Sequence, residues 1–208
     1  MIQTRFKNSI ILSFIILILA IAASAGGLLF GDLYRDNALV KSVWFANDIV
    51  TLFLAVPLMA GALLYTIRGS VKAQLIWMGT LWYMVYNYIF YLYAATFNNF
   101  FLIYVALFTL SAYAFIFAMI NTDAGTISQY FHHRTPVKWI SGFLMFFAIS
   151  LTVSWIVMSL SFVFTGQVPE PVVQTGHPTG VVFATDLSLL VSTLVLGAVL
   201  LWKRHPWG

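Results

Sequence analysis

Leu75–Asn99, LIWMGTLWYMVYNYIFYLYAATFNN, is long and apolar enough to cross a bilayer, yet it carries an unusual load of tyrosine. At helical spacing Thr80, Tyr83, Asn87, Tyr91, Ala94 and Asn98 recur at steps of three or four and share one face. Trp82, Val85, Ile89 and Leu92 make the opposite side, which lipid or an apolar neighbour would accept. An asparagine near the middle of a hydrocarbon-spanning helix needs a partner, because no water is there to supply one. The stretch is therefore expected to face inward and to give a polar stripe to the interior of a helical bundle.

Outward from it, the apolar stretches are Ser9–Phe30, Val43–Ile67, Leu75–Phe97, Phe100–Ile120, Trp139–Phe164 and Val181–Trp202. Each reaches the roughly 20 residues that a helix needs to cross hydrocarbon. With 62% hydrophobic and 8% charged residues, the chain is neither an ordinary soluble domain nor a disordered one. The expected fold is all-α: a polytopic membrane protein, a six-transmembrane-helix bundle with short loops, forming one integral membrane domain. Asn98-Asn99 is expected to be the whole link between the third and fourth spans. The absence of cysteine excludes disulfides, thiolate metal sites and thiol catalysis. Bases scattered singly between apolar spans exclude nucleic acid as a partner.

Charge sets the expected orientation. Arg5, Lys7, Arg68, Lys72, Arg134, Lys138, Lys203 and Arg204 fall at the N-terminus, the even loops or the C-terminus, and only Arg35 and Lys41 fall in the odd loops. Both termini are thus expected in the cytoplasm. Asp32, Asp36, Asp48, Glu170 and Asp186 lie on the outer side and Asp123 alone on the inner, leaving the outer half at −3 and the inner at +7. Trp44, Trp77, Trp139 and Trp202, near span ends, read as an aromatic belt. Arg5, Lys7 and Ala23-Ser24-Ala25 also fit a secretory signal, but the apolar run continues through Gly26–Phe30 and favours an uncleaved helix. The 121–138 loop, with Ile127, Tyr130 and Phe131 beside His132 and His133, reads as an interfacial piece. The outer loop Thr165–Gly180, with three prolines and three glycines, reads as a lid.

Asp48 and Asp186 are the sharpest chemical signals. Each lies about five residues inside the outer end of its span, some 7 Å deep at 1.5 Å per residue. Carboxylates at such depth are costly and mark functional pathways; the plainer alternative is a cap, or a pair with Arg35 or Lys41. Asp186 continues inward through Ser188 and Ser192. Tyr83, Asn87 and Tyr91 alone would be a hydrogen-bonded packing seam. With Asp48, Asp186 and Tyr104 they form one wall of an expected outward-facing pocket. Ser150, Ser154 and Ser161 offer a second wall or a close-packing face. If the second and sixth spans are neighbours, Asp48 and Asp186 would approach each other and share a proton or a cation. His177 would reach Asp186 or Glu170 only by loop placement, so no metal site and no cofactor are expected. No zincin, hydrolase-elbow, phosphate-loop or dinucleotide motif occurs. Pro57 frees a carbonyl in the second span and marks a kink.

Asn47-Asp48-Ile49-Val50-Thr51-Leu52, Pro57, Arg68-Gly69-Ser70, Tyr86-Asn87-Tyr88 and Phe97-Asn98 resemble a group of uncharacterised bacterial multi-span membrane proteins. The resemblance covers mainly the second to fourth spans and implies a bacterial inner-membrane location, with no activity attached. The residues themselves favour binding or transport of a small cationic or polar solute in an acidic, tyrosine-lined pocket. The alternatives are a membrane-embedded enzyme using the outer carboxylates, and an accessory subunit whose polar stripe only packs helices. Expected partners are the lipid bilayer and that solute, with self-association left open.

Overall fold

The computed structural model describes residues 5–129 and 135–207, and these are mostly helical, with no strand among the described residues. The chain forms two compact units, Met1–Thr122 and Asp123–Gly208. The first holds α1 (Lys7–Leu29), α2 (Ala38–Ile67), α3 (Val71–Tyr93) and α4 (Phe101–Ile120). The second holds α5 (Ala124–Ser128), α6 (Val137–Thr165), α7 (Glu170–Thr175) and α8 (Val181–Trp202). Among the described residues, α1, α2, α4, α6 and α8 are long and apolar enough to cross a membrane. The 23-residue α3 has the length, but its tyrosines, tryptophans and Asn87 lower its hydropathy, and it is outside that set.

In the first unit consecutive helices pack side by side and α4 closes back on α1, leaving α3 between α2 and α4. Local chemistry fixes the ends. Asn37 caps α2 by accepting from the Val40 amide at 3.0 Å, and Ser70 caps α3 by accepting from the Ala73 amide at 3.3 Å. The link from α3 to α4 is longer than Asn98-Asn99. Residues 94–100 lie outside the helices, because Thr96 donates its amide and hydroxyl to Asp36, at 2.9 and 2.8 Å, instead of extending α3.

The buried face of α3 runs through Trp77, Thr80, Leu81, Met84, Asn87, Tyr88 and Tyr91, the helical repeat expected of an inward stripe. Of the four tryptophans expected in an aromatic belt, Trp139 and Trp202 are exposed, whereas Trp44 and Trp77 are core residues, which corrects the assignment for those two. Their indoles have protein partners: Trp77 Nε1 donates to Ser13 of α1 at 2.9 Å, and Trp44 Nε1 to Asp36 at 3.1 Å. An indole so satisfied no longer needs the headgroup region.

In α2 the backbone widens to π-helix over Thr51–Ala55, immediately before Val56-Pro57. Proline has no N–H to return to the Phe53 carbonyl, and the expected kink takes the form of this wider turn. In the second unit α6 and α8 pack along each other, and α8 has its own π segment, Asp186–Val191. The 165–180 connection winds into α7, bracketed by Gly166 and Gly176, both with positive φ (68° and 70°). Of the 121–138 loop, α5 is capped by Asp123, which accepts from the Gly125 amide; Tyr130, Phe131, His132, His133 and Arg134 lie outside the described residues.

Candidate functional site: a buried carboxylate among tyrosines

Asp48 is 2% exposed, on the inward face of α2. Two phenols donate to it: Tyr34 to Oδ2 at 2.5 Å, and Tyr91 of α3 to Oδ1 at 3.0 Å. Each carboxylate oxygen thus has a phenol donor; the Tyr34 bond has the length of the strong, charge-assisted class, and the Tyr91 bond that of an ordinary one. Tyr34 sits in the α1–α2 connector, where burial, then the acidic groups of Tyr91 and Asp48, hold its phenol far above the usual tyrosine range; it stays protonated and donates. Gly27 of α1 makes the approach possible. A Cβ there would overlap the Asp48 carboxylate and the Tyr34 hydroxyl, and at Gly26 it would strike the Phe100 ring.

Tyr88 and Tyr104 complete the cluster. Ring centroids are 4.9 Å apart for Tyr91–Tyr104 and for Trp44–Tyr91, 5.5 Å for Tyr88–Tyr91 and 6.3 Å for Tyr34–Tyr91. Rings at these separations touch, so the tyrosines fill the interior rather than stand around a wide void. The hydroxyls of Ser24, Tyr88 and Tyr104 are buried without a hydrogen-bond partner. Ser24 is near enough to act electrostatically on both Asp48 and Tyr88, yet meets hydrogen-bond geometry with neither. Tyr104 likewise lies close to Tyr34 and Asn98 without meeting that geometry, so the oxygens of all three hydroxyls are only loosely engaged beside the buried carboxylate.

One turn deeper, Thr51 Oγ1 bonds the Tyr83 hydroxyl at 2.9 Å and accepts a long 3.5 Å contact from Asn87 Nδ2. A groove of about 320 Å³ lies against the cluster, lined by Gly27, Leu28, Gly31, Tyr34, Lys41, Ser42 and Phe45. Gly27 and Tyr34, the residues that meet the Asp48 carboxylate from α1 and its connector, also line this groove, whereas Asp48 does not.

Of the expected site residues, Asp48, Tyr91, Tyr104, Asn87 and Tyr83 therefore come together in the first unit, through direct contact or through Thr51. Asp186 belongs to the second, where it is 5% exposed and accepts from Trp155 Nε1 at 2.9 Å. Ser150 and Ser154 of α6 turn back onto carbonyls four residues earlier, the ordinary use of helical serines, and are exposed. The Nε2 of His177 is buried and makes no hydrogen bond, so it bonds neither Asp186 nor Glu170. No group of three histidine, aspartate or glutamate side chains gathers among the described residues.

Sequence reasoning missed Ser24, Gly27, Tyr34, Trp44 and Tyr88. Trp44 was within reach of it: four residues before Asp48, it shares that residue's helical face. Gly26-Gly27, ending the small-residue run Ala22-Ala23-Ser24-Ala25 of α1, is likewise the signature of a close approach. No known family model matches the chain, and no curated protein and no solved structure is significantly similar to it.

Proposed function

We propose that the protein is a multi-pass membrane protein of the bacterial inner membrane that binds, and in working carries, a small cation at Asp48. The observation behind this reading is the carboxylate enclosed by protein beside three hydroxyls without partners. A single buried negative charge in low dielectric favours one positive charge as its complement. Ser24, Tyr88 and Tyr104 have oxygen lone pairs to offer it, while Tyr34 and Tyr91 steady the carboxylate. The closeness of the rings narrows the solute from the organic cation that tyrosine would suit to a small inorganic one. One carboxylate with neutral oxygens suits a monovalent ion better than a divalent one.

The same reading takes α3 as a sixth crossing. It packs between α2 and α4, both long and apolar enough to span, and turns its polar face away from lipid. Loop charge then directs both termini to the cytoplasm and the Tyr34 end outward.

The test is thermal unfolding of the purified protein in NaCl, KCl and LiCl at ionic strength held constant with choline. One of the three should stabilise the wild type saturably, by about 2.7 kcal/mol at a hundredfold excess over Kd. In Asp48→Asn that stabilisation should fall. An equal response from the variant would reduce the cluster to a packing device, and the reading would be dropped.

A further inference from the structure

Phe183-Ala184-Thr185-Asp186-Leu187 of α8 repeats, with conservative changes, Phe45-Ala46-Asn47-Asp48-Ile49 of α2. A leucine follows each aspartate by four residues, Leu52 and Leu190. Five positions in an apolar chain would mean little alone, but the backbone agrees with them. Within one turn of each aspartate the helix widens from α to π, at Thr51–Ala55 and at Asp186–Val191. Proline accounts for the first widening; in the second no proline is present, and Ser192 Oγ bonds the Leu187 carbonyl five residues back at 3.3 Å. Such turns loosen the i→i−4 ladder, bring backbone carbonyl oxygens into play and occur often at functional sites. Both carboxylates are buried, and each accepts from an aromatic donor on another helix, Tyr91 on α3 or Trp155 on α6.

We infer that Asp186 is the centre of a second small-cation site, contained in the second unit and built to the plan of the Asp48 site. This rests on the reading of Asp48 given above. Trp155 Nε1 steadies Oδ2 as the phenols steady Asp48, and the Trp155 ring is fixed by stacking on Phe183, centroids 4.3 Å apart and planes 20° from parallel. The buried Thr185 places a hydroxyl-bearing side chain next to the carboxylate in the chain. Behind Trp155 and Phe183, under α7, lies a cavity of about 70 Å³ whose wall includes His177, with its unpartnered Nε2. That space is of a size for water or a bare ion and reaches the indole that holds Asp186. As at Asp48, one carboxylate implies a monovalent ion.

The experiment counts sodium ions bound per full-length chain, using radioactive sodium on detergent-purified protein stripped of alkali ions, with potassium and lithium as competitors. The wild type should bind a second equivalent that Asp186→Asn loses and Asp48→Asn keeps, and the double variant should bind none. Trp155→Phe preserves the ring stack and removes the donor; it should weaken only the second equivalent, by about tenfold, and it decides the matter if Asp186→Asn does not fold. A full wild-type count in Asp186→Asn, with one equivalent lost in Asp48→Asn, overturns this inference and leaves the Asp48 reading intact. Loss in Asp186→Asn alone overturns the Asp48 reading instead. No saturable binding by the wild type, with any of the three ions, overturns both.

Discussion

Tyr34 reaches Asp48 from a connector, and that position gives it a measurable signature. Tyr34→Phe leaves the carboxylate with one donor and should destabilise the protein by about 1.5–3 kcal/mol. Because burial raises the phenol's pKa in the folded state, its contribution is complete below the free-tyrosine value of about 10 and is lost as pH rises above it, where only the unfolded chain ionises. Tyr34→Phe should therefore lose stability less steeply above pH 10 than the wild type, in denaturant titrations run across that range. Gly27→Ala tests the other side of the cluster. A methyl forced against Asp48 and Tyr34 should cost about 1–3 kcal/mol, whereas Gly61→Ala, with open space at its Cβ, should be near neutral in the same melts. At this scale the sequence was half readable. Asp48 stands out because a charge in an apolar run is conspicuous, but Tyr34 sits in a loop whose path no periodicity describes, and Gly27 matters for an atom it lacks.

Among the elements, α3 was the most legible, since its polar residues keep the helical step and the structure buries Thr80, Asn87 and Tyr91 on one face. Its partner was not legible. Thr51 lies where Pro57 has altered the turn of α2, so its direction depends on a π register that side-chain spacing at 3.6 residues does not encode. Asn87→Leu, which loses only the long contact to Thr51, should cost about 1 kcal/mol. Thr51→Val, which strands both Tyr83 and Asn87, should cost more. Thermal melts of the two variants and their combination would show it, and strictly additive losses would mean that the three side chains do not act as one network.

For the molecule as a whole, loop charge makes a claim that labelling can check. The native chain lacks cysteine, so single reporters are unmasked. In sealed cells an impermeant maleimide should modify Val173→Cys on α7 and spare Lys72→Cys near the start of α3; both positions are exposed, and neither has the positive φ that makes Gly176 a poor host. The opposite pattern would reverse the orientation. The places of the five long apolar helices could be read from composition because apolar length is a one-dimensional property; the expected sixth span, α3, falls short in hydropathy, and the short helices α5 and α7 carry no such signal. The division into two units could not, since it depends on which helix faces pair.

The modest hydropathy of α3 also bears on how the protein is made. A helix carrying Asn87 and so many tyrosines has little to gain from entering lipid by itself, and its Trp77, Tyr83, Asn87 and Tyr91 find hydrogen-bond partners on α1 and α2. On the proposed reading of α3 as a sixth crossing, α2 precedes it in synthesis and offers Thr51 to Tyr83 and Asn87, so the two should enter the bilayer as a hairpin. Trp77 likewise finds Ser13 waiting on α1. Tyr104, by contrast, arrives with α4, and until then one side of Tyr88 and Tyr91 stays uncovered. On that same reading, the interval between synthesis of α3 and of α4 should be when the nascent chain most depends on being shielded from lipid and from degradation.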